Sequence, residues 1–155
     1  MNYKLVKLTQ FSGEAASIYS VFLIDQDKTL FDIFIEENKY SFISELKDIS
    51  ERLIVIGHDT GARINYFRKY EGKPGDGVCA LFDEPESNLR LYCITYGTLL
   101  VIVGGGGYKP KSISAFQDDE KLTKENYLLR KIAAAINKRI KDREIEFTND
   151  HKDFE

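Results

Sequence analysis

Apolar and polar side chains alternate from Asn2 to Leu8, "NYKLVKL", and this alternation predicts a strand. Ser17 to Ile24, "SIYSVFLI", is rich in β-branched and aromatic residues and predicts a second. With "SGEAA" between them the two read as a hairpin or as neighbouring strands. After "DQDK" the period changes. Thr29 stands at a helix N-cap with Asp32 at the capping-box spacing, and Leu30, Phe31, Phe34 and Ile35 share one face. A second helix carries Phe42, Leu46, Ile49, Leu53 and Ile56 at spacings of three and four, with Gly57 as its expected C′ glycine.

From Arg63 the pattern becomes that of short strands: "RINYFRKY", "GVCALFD", "LRLYCITYG" and "LLVIVG", separated by "EGKPGDG", "EPESN" and "GT". Tyr96-Gly97-Thr98-Leu99 is a tight connection between two apolar strands, as a hairpin requires. A long helix follows from Leu122 to Lys141, with Leu128 or Leu129, Ile132, Ile136 and Ile140 inward and Arg130, Lys131, Lys138 and Lys141 outward. "EIEFTN" reads as a last short strand and the acidic "DHKDFE" as a frayed end. The expected fold class is α+β: two N-terminal helices and a long C-terminal helix packed on a mostly antiparallel sheet of four to six strands. The expected organisation is one domain over 1–150 with an acidic tail over 151–155.

Within this pattern, "LLVIVGGGGYKPKS", Leu99 to Ser112, is the unusual stretch. A strand that runs into four glycines and then a tyrosine and two lysines suggests a backbone cradle for phosphate. The spacing matches neither a P-loop nor a dinucleotide-binding fingerprint, because no Ser or Thr follows Lys109 directly. The structural alternative is a strand end where glycine serves positive φ or close backbone packing.

Composition sets the outer bounds. The 155 residues are 43% hydrophobic, 12% aromatic and 30% charged, which fits a single globular core and argues against disorder. No apolar run approaches a membrane span and the start lacks a signal-peptide pattern, so a cytoplasmic location is expected. Cys79 and Cys93 lie in apolar strand contexts without CxxC spacing and read as buried reduced thiols. No grouping of His, Cys and carboxylate has metal-ligand spacing, so neither a metal nor a cofactor is called for. His58 and His151 read as structural or neutral. The net charge is −3, yet residues 63–143 carry 15 basic against 10 acidic side chains, whereas residues 1–62 carry 6 against 10. The basic excess therefore surrounds the glycine run, which permits a polyanion partner.

Two basic groupings carry candidate chemistry. Arg90, in "LRLYC", lies on the strand that the hairpin pairs with "LLVIV", near the open end at which Gly104 to Lys109 are expected to leave the sheet. Such cations would stabilise the extra charge of a phosphoryl-transfer transition state; the alternative is a salt bridge from Arg90 to Asp83 or Glu86. In Tyr66 to Gly75, "YFRKYEGKPG", Arg68, Lys69 and Lys73 interleave with aromatic residues including Tyr70, a mixture suited to single-stranded RNA or to a protected edge strand.

The succession "YFRKYEG", "GVCALFD", "LRLYCITYGTLLVIVGGGGYKPKS" and "ENYLLRKIAAAINKRIKD", over Arg63 to Lys141, resembles the RelE/HigB superfamily of bacterial toxins from type II toxin–antitoxin systems. The resemblance implies a RelE-like sheet and a metal-independent ribonuclease that cuts mRNA on the ribosome through the ribose 2′-hydroxyl. It implies Arg90, Lys109 and Lys111 as catalytic residues, and Arg68, Lys69, Tyr70, Lys73 and Tyr108 as RNA contacts. It also implies a neutralising antitoxin partner of helix-turn-helix type. The alternative is a non-catalytic RNA-binding or protein-interaction module on the same scaffold.

Overall fold

The computed structural model describes residues 2–68, 71–73, 75–81, 84, 86–109 and 119–155. Seven strands form its sheet: β1 (Tyr3–Lys7), β2 (Ser17–Leu23), β3 (Lys28–Thr29), β4 (Phe67–Arg68), β5 (Val78–Leu81), β6 (Leu89–Tyr96) and β7 (Leu100–Tyr108). The order is β1-β2-β7-β6-β5-β4, with β3 pairing on β2. The sheet has seven strands rather than four to six, and it is mixed: β2 runs parallel to β7, Ser17 opposite Leu100 through Ser20 opposite Val103, within a mostly antiparallel array. All other pairings are antiparallel. The α+β class stands.

Among the described residues three helices cover the sheet: α1 (Leu30–Asn38), α2 (Ile43–Val55) and α3 (Glu120–Lys141). The capping box of α1 forms as its spacing requires, the Thr29 hydroxyl accepting from the Asp32 N–H at 2.9 Å and the Asp32 carboxylate accepting from the Thr29 N–H at 3.0 Å. β2 and β7 cease to pair beyond Ser20 and Val103, and α1 packs against both strands. Its Phe31 and Phe34 enter one core, while Leu30 and Ile33 pack into the other.

The two cores lie on opposite faces of the sheet. On one, Leu46, Ile49 and Leu53 of α2 meet Leu91, Cys93, Val101 and Val103. On the other, Leu122, Leu129, Ile132 and Ile136 of α3 meet Tyr92, Ile94, Leu100 and Ile102. Each such buried aliphatic side chain contributes about 1.5–3 kcal/mol. None of the described helices is long and apolar enough to cross a membrane.

Several local expectations are corrected. The α2 segment does not end at Gly57; it runs on through a π turn, Ile56–Thr60, and Gly61, at φ +72°, ends it. Gly57 serves packing instead, since a Cβ there would lie 1.8 Å from the Phe11 carbonyl oxygen. The described part of "RINYFRKY" holds a 3-10 turn, Ile64–Tyr66, followed by β4, Phe67–Arg68. "EIEFTN" contributes a single bridge, Phe147 to Phe154. The end of the chain is docked rather than frayed: Phe154 meets the rings of Tyr19 and Tyr96 edge-on, and Asp153 accepts from the Tyr19 hydroxyl at 2.6 Å and pairs with Lys7 at 3.0 Å.

Candidate functional site

The four glycines are not a loop. β7 continues through Gly104–Gly107 to Tyr108, with all four glycines buried. Between the pairs Cys93–Val103 and Leu91–Gly106 the register shifts, so that Gly104 and Gly105 together oppose Tyr92. Helix α3 and strand β6 occupy the space that side chains would need. A Cβ at Gly104 would lie 2.9 Å from the Leu129 side chain, at Gly105 2.5 Å from the Glu125 carboxylate, and at Gly106 1.9 Å from the Arg90 carbonyl oxygen. The run thus lets a helix and a neighbouring strand approach the backbone closely.

Strand alternation brings two of the candidate cations, Arg68 and Arg90, to one face. Arg68 is opposite Ala80, and Ala80 opposite Tyr92, both of which belong to the α3-side core. Arg90 follows two residues from Tyr92 on β6 and is opposite Gly107. Lys109 follows the end of β7, its N–H donating to the Asn88 carbonyl at 2.6 Å.

This face is covered. Arg90 is 3% exposed and Lys109 7%, and the Lys109 ammonium donates to the Glu84 carbonyl at 3.1 Å. Glu71, also buried, stands 4.0 Å from the Arg68 Nε, and its carbonyl accepts from the Asn126 amide at 2.7 Å. Burial raises the Tyr92 phenol above its ordinary range and the Glu71 carboxylate adds to this, while Arg90 and Arg68 pull the other way. Glu71, Arg90, Tyr92 and Asn126 therefore form a buried polar cluster between sheet and helix, with the partly exposed Arg68 at its edge. Neither Glu71 nor Asn126 follows from motif reasoning. Asn126 did carry a signal, a polar residue between Leu122 and Leu129 on the inward face of α3.

The other sequence-derived candidates are dispersed. Tyr108 is 46% exposed and stacks on Phe42 with centroids 5.8 Å apart, on the α2 side. Lys73 is exposed, in a loop whose turn is held by the Asp76 carboxylate accepting from the Lys73 and Val78 N–H groups. Lys69, Tyr70 and Lys111 lie outside the described residues, as does Asp83.

Open cationic chemistry is found instead on the outer surface of α3. Lys124, Tyr127, Lys131 and Lys138 recur at spacings of three, four and seven, and all are exposed. Tyr127 is 50% exposed, with the Arg130 guanidinium 5.2 Å above its ring. A groove of about 420 Å³ is lined by Tyr127, Arg130, Lys131 and Ala134 on the helix and by Lys73 and Asp76 opposite. An aromatic face among three cations can stack an unpaired base while holding its phosphates.

Neither a family model, a curated protein nor a solved structure matches this chain.

Proposed function

We propose that this protein binds single-stranded RNA on the outer face of α3. One observation carries the reading: the exposed Tyr127 ring lies in a groove bordered by Arg130, Lys131 and Lys73. The burial of Arg90 and Lys109 favours binding over cleavage, because neither cation lies open to a scissile phosphate. Fluorescence anisotropy of a labelled 12-nucleotide oligouridine tests it. Binding that weakens about tenfold or more in Tyr127→Ala, and that Tyr127→Phe retains, supports the reading. Absence of binding, or equal binding by Tyr127→Ala, overturns it.

A second reading, the RelE/HigB-type endoribonuclease with a helix-turn-helix antitoxin, draws support from a separate observation, the placement of Arg68 and Arg90 on one face of the sheet. Induction of the chain alone, without any partner, tests it. Growth arrest accompanied by mRNA fragments ending in cyclic phosphate supports it, and normal growth with intact mRNA excludes it.

A further inference from the structure

On the opposite side of the sheet from α3, a cleft of about 440 Å³ opens between α2 and the connection from β5 to β6. Its floor is apolar, formed by Ile49 and Ile56 of the helical segment and by Leu81 and Leu89 of the strands. Val55 extends this surface outward at 43% exposure, next to Ile54 at 42%. Both banks are acidic. Asp48 stands on the α2 bank, with Glu51 and Lys47 exposed beside it, and Glu84 on the opposite one, with Glu86 exposed beside it and the Lys109 ammonium on the Glu84 carbonyl at 3.1 Å. Glu45 also lines the cleft, its carboxylate already accepting from the Asn88 and Leu89 N–H groups. Among the described lining residues the one cation is Arg52, and it is paired with Asp48 at 3.1 Å.

We propose that this cleft docks an amphipathic helix of a partner protein, with aliphatic side chains in the cleft and lysines or arginines on its two banks. Charge complementarity sets the sign of the partner, since carboxylates border an apolar floor on either side. It also sets the conformation. A helix flanks an apolar stripe with polar residues on both sides, whereas a strand sends its polar residues to the far face, away from either bank. The inference is independent of RNA binding, which is placed on the other face of the molecule.

The test uses three acetylated and amidated 18-residue peptides with leucines at positions i, i+3, i+4 and i+7 of each repeat. The remaining positions are alanine with lysine, with glutamate or with glutamine. Titration calorimetry at 50 mM salt is expected to show micromolar binding of the lysine peptide and at least tenfold weaker binding of the other two. The exposed substitutions Asp48→Lys with Glu84→Lys, and separately Val55→Asp, are expected to weaken the lysine peptide at least tenfold. Lys131→Ala on α3 is expected to leave it unchanged. Absence of binding, full retention by the Asp48→Lys, Glu84→Lys variant, or equal binding of the glutamine peptide overturns the proposal; the last result would mark a purely apolar site.

Discussion

The Cβ that Gly106 lacks would stand 1.9 Å from the carbonyl oxygen of Arg90, across the β6–β7 ladder. Neither strand can give way without losing its hydrogen bonds, so Gly106→Ala is expected to cost about 3 kcal/mol. At the next position the nearest atom is the flexible Lys121 side chain, at 3.2 Å, and Gly107→Ala is expected to cost under about 1 kcal/mol. Urea denaturation of the two variants checks the contrast. Equal midpoints would mean that the close approach of β6 to β7 does not exist in solution.

That contrast also shows where the sequence was legible. Thr29 and Asp32 act through three residues of chain, so their capping box was readable from spacing alone. The apolar period of α2 and of α3 likewise survives into the two cores. Glycine has no side chain to alternate, so Gly104–Gly107 carried no strand signal although β7 runs straight through them. The parallel pairing of β2 with β7 joins segments some eighty residues apart and leaves no local trace. Arg90 and Lys109 lie near one end of the β6–β7 pair, but both are buried, and the Glu84 carbonyl that accepts from the Lys109 ammonium belongs to another segment.

Glu45 ties α2 to the start of β6. Its carboxylate accepts from the Asn88 N–H at 2.8 Å, the Asn88 side-chain amide at 2.7 Å and the Leu89 N–H at 3.2 Å. Glu45→Ala leaves these donors without that acceptor and is expected to cost about 1–3 kcal/mol. Hydrogen exchange is expected to accelerate at Asn88 and Leu89 first, ahead of the rest of β6. Unchanged exchange at these two amides would rule the tie out.

The docked C-terminus gives the molecule an acid-sensitive element. Burial pushes the Asp153 carboxyl up, but the Tyr19 hydroxyl and the Lys7 ammonium outweigh it and hold the group below the ordinary carboxylate range. A depressed carboxyl contributes stability that is present above its unfolded value and lost as pH falls through the folded one. Cleavage by pepsin within residues 147–155 is therefore expected to rise as pH falls below about 4, ahead of global unfolding. Asp153→Asn is expected to show the same cleavage already at pH 5. Equal protection of both proteins would show that Asp153 does not hold the segment.

Cys79 and Cys93 are opposite one another on β5 and β6. Burial pushes the Cys79 thiol up to about 12 and the Cys93 thiol well above its ordinary value, so neither supplies thiolate near neutrality. An aromatic disulfide reagent at pH 8 is expected to label neither in the native protein and both in guanidinium chloride. Rapid native labelling of Cys79, which borders a groove with Gly77 and Thr95, would show that β5 opens on its own.

Arg90 separates the structural account of the buried cluster from the catalytic one. Arg90 and Glu71 both act on Tyr92 from within the sheet–helix interface, and Glu71 is itself buried. Removing the guanidinium leaves the buried Tyr92 hydroxyl without its Arg90 partner, at a cost of about 1–3 kcal/mol. Arg90→Ala is therefore expected to lower the thermal midpoint markedly, whereas Arg130→Ala on the outer face of α3 is expected to leave it within about 2 °C. RNA affinity is expected to follow the opposite order at a temperature where both variants are folded. Loss of Arg130 should also flatten the dependence of log affinity on log salt by about 0.7 for each phosphate contact removed. An Arg90→Ala protein of wild-type stability would place Arg90 outside the structural cluster, and its failure to arrest growth would then assign it to the ribonuclease reading.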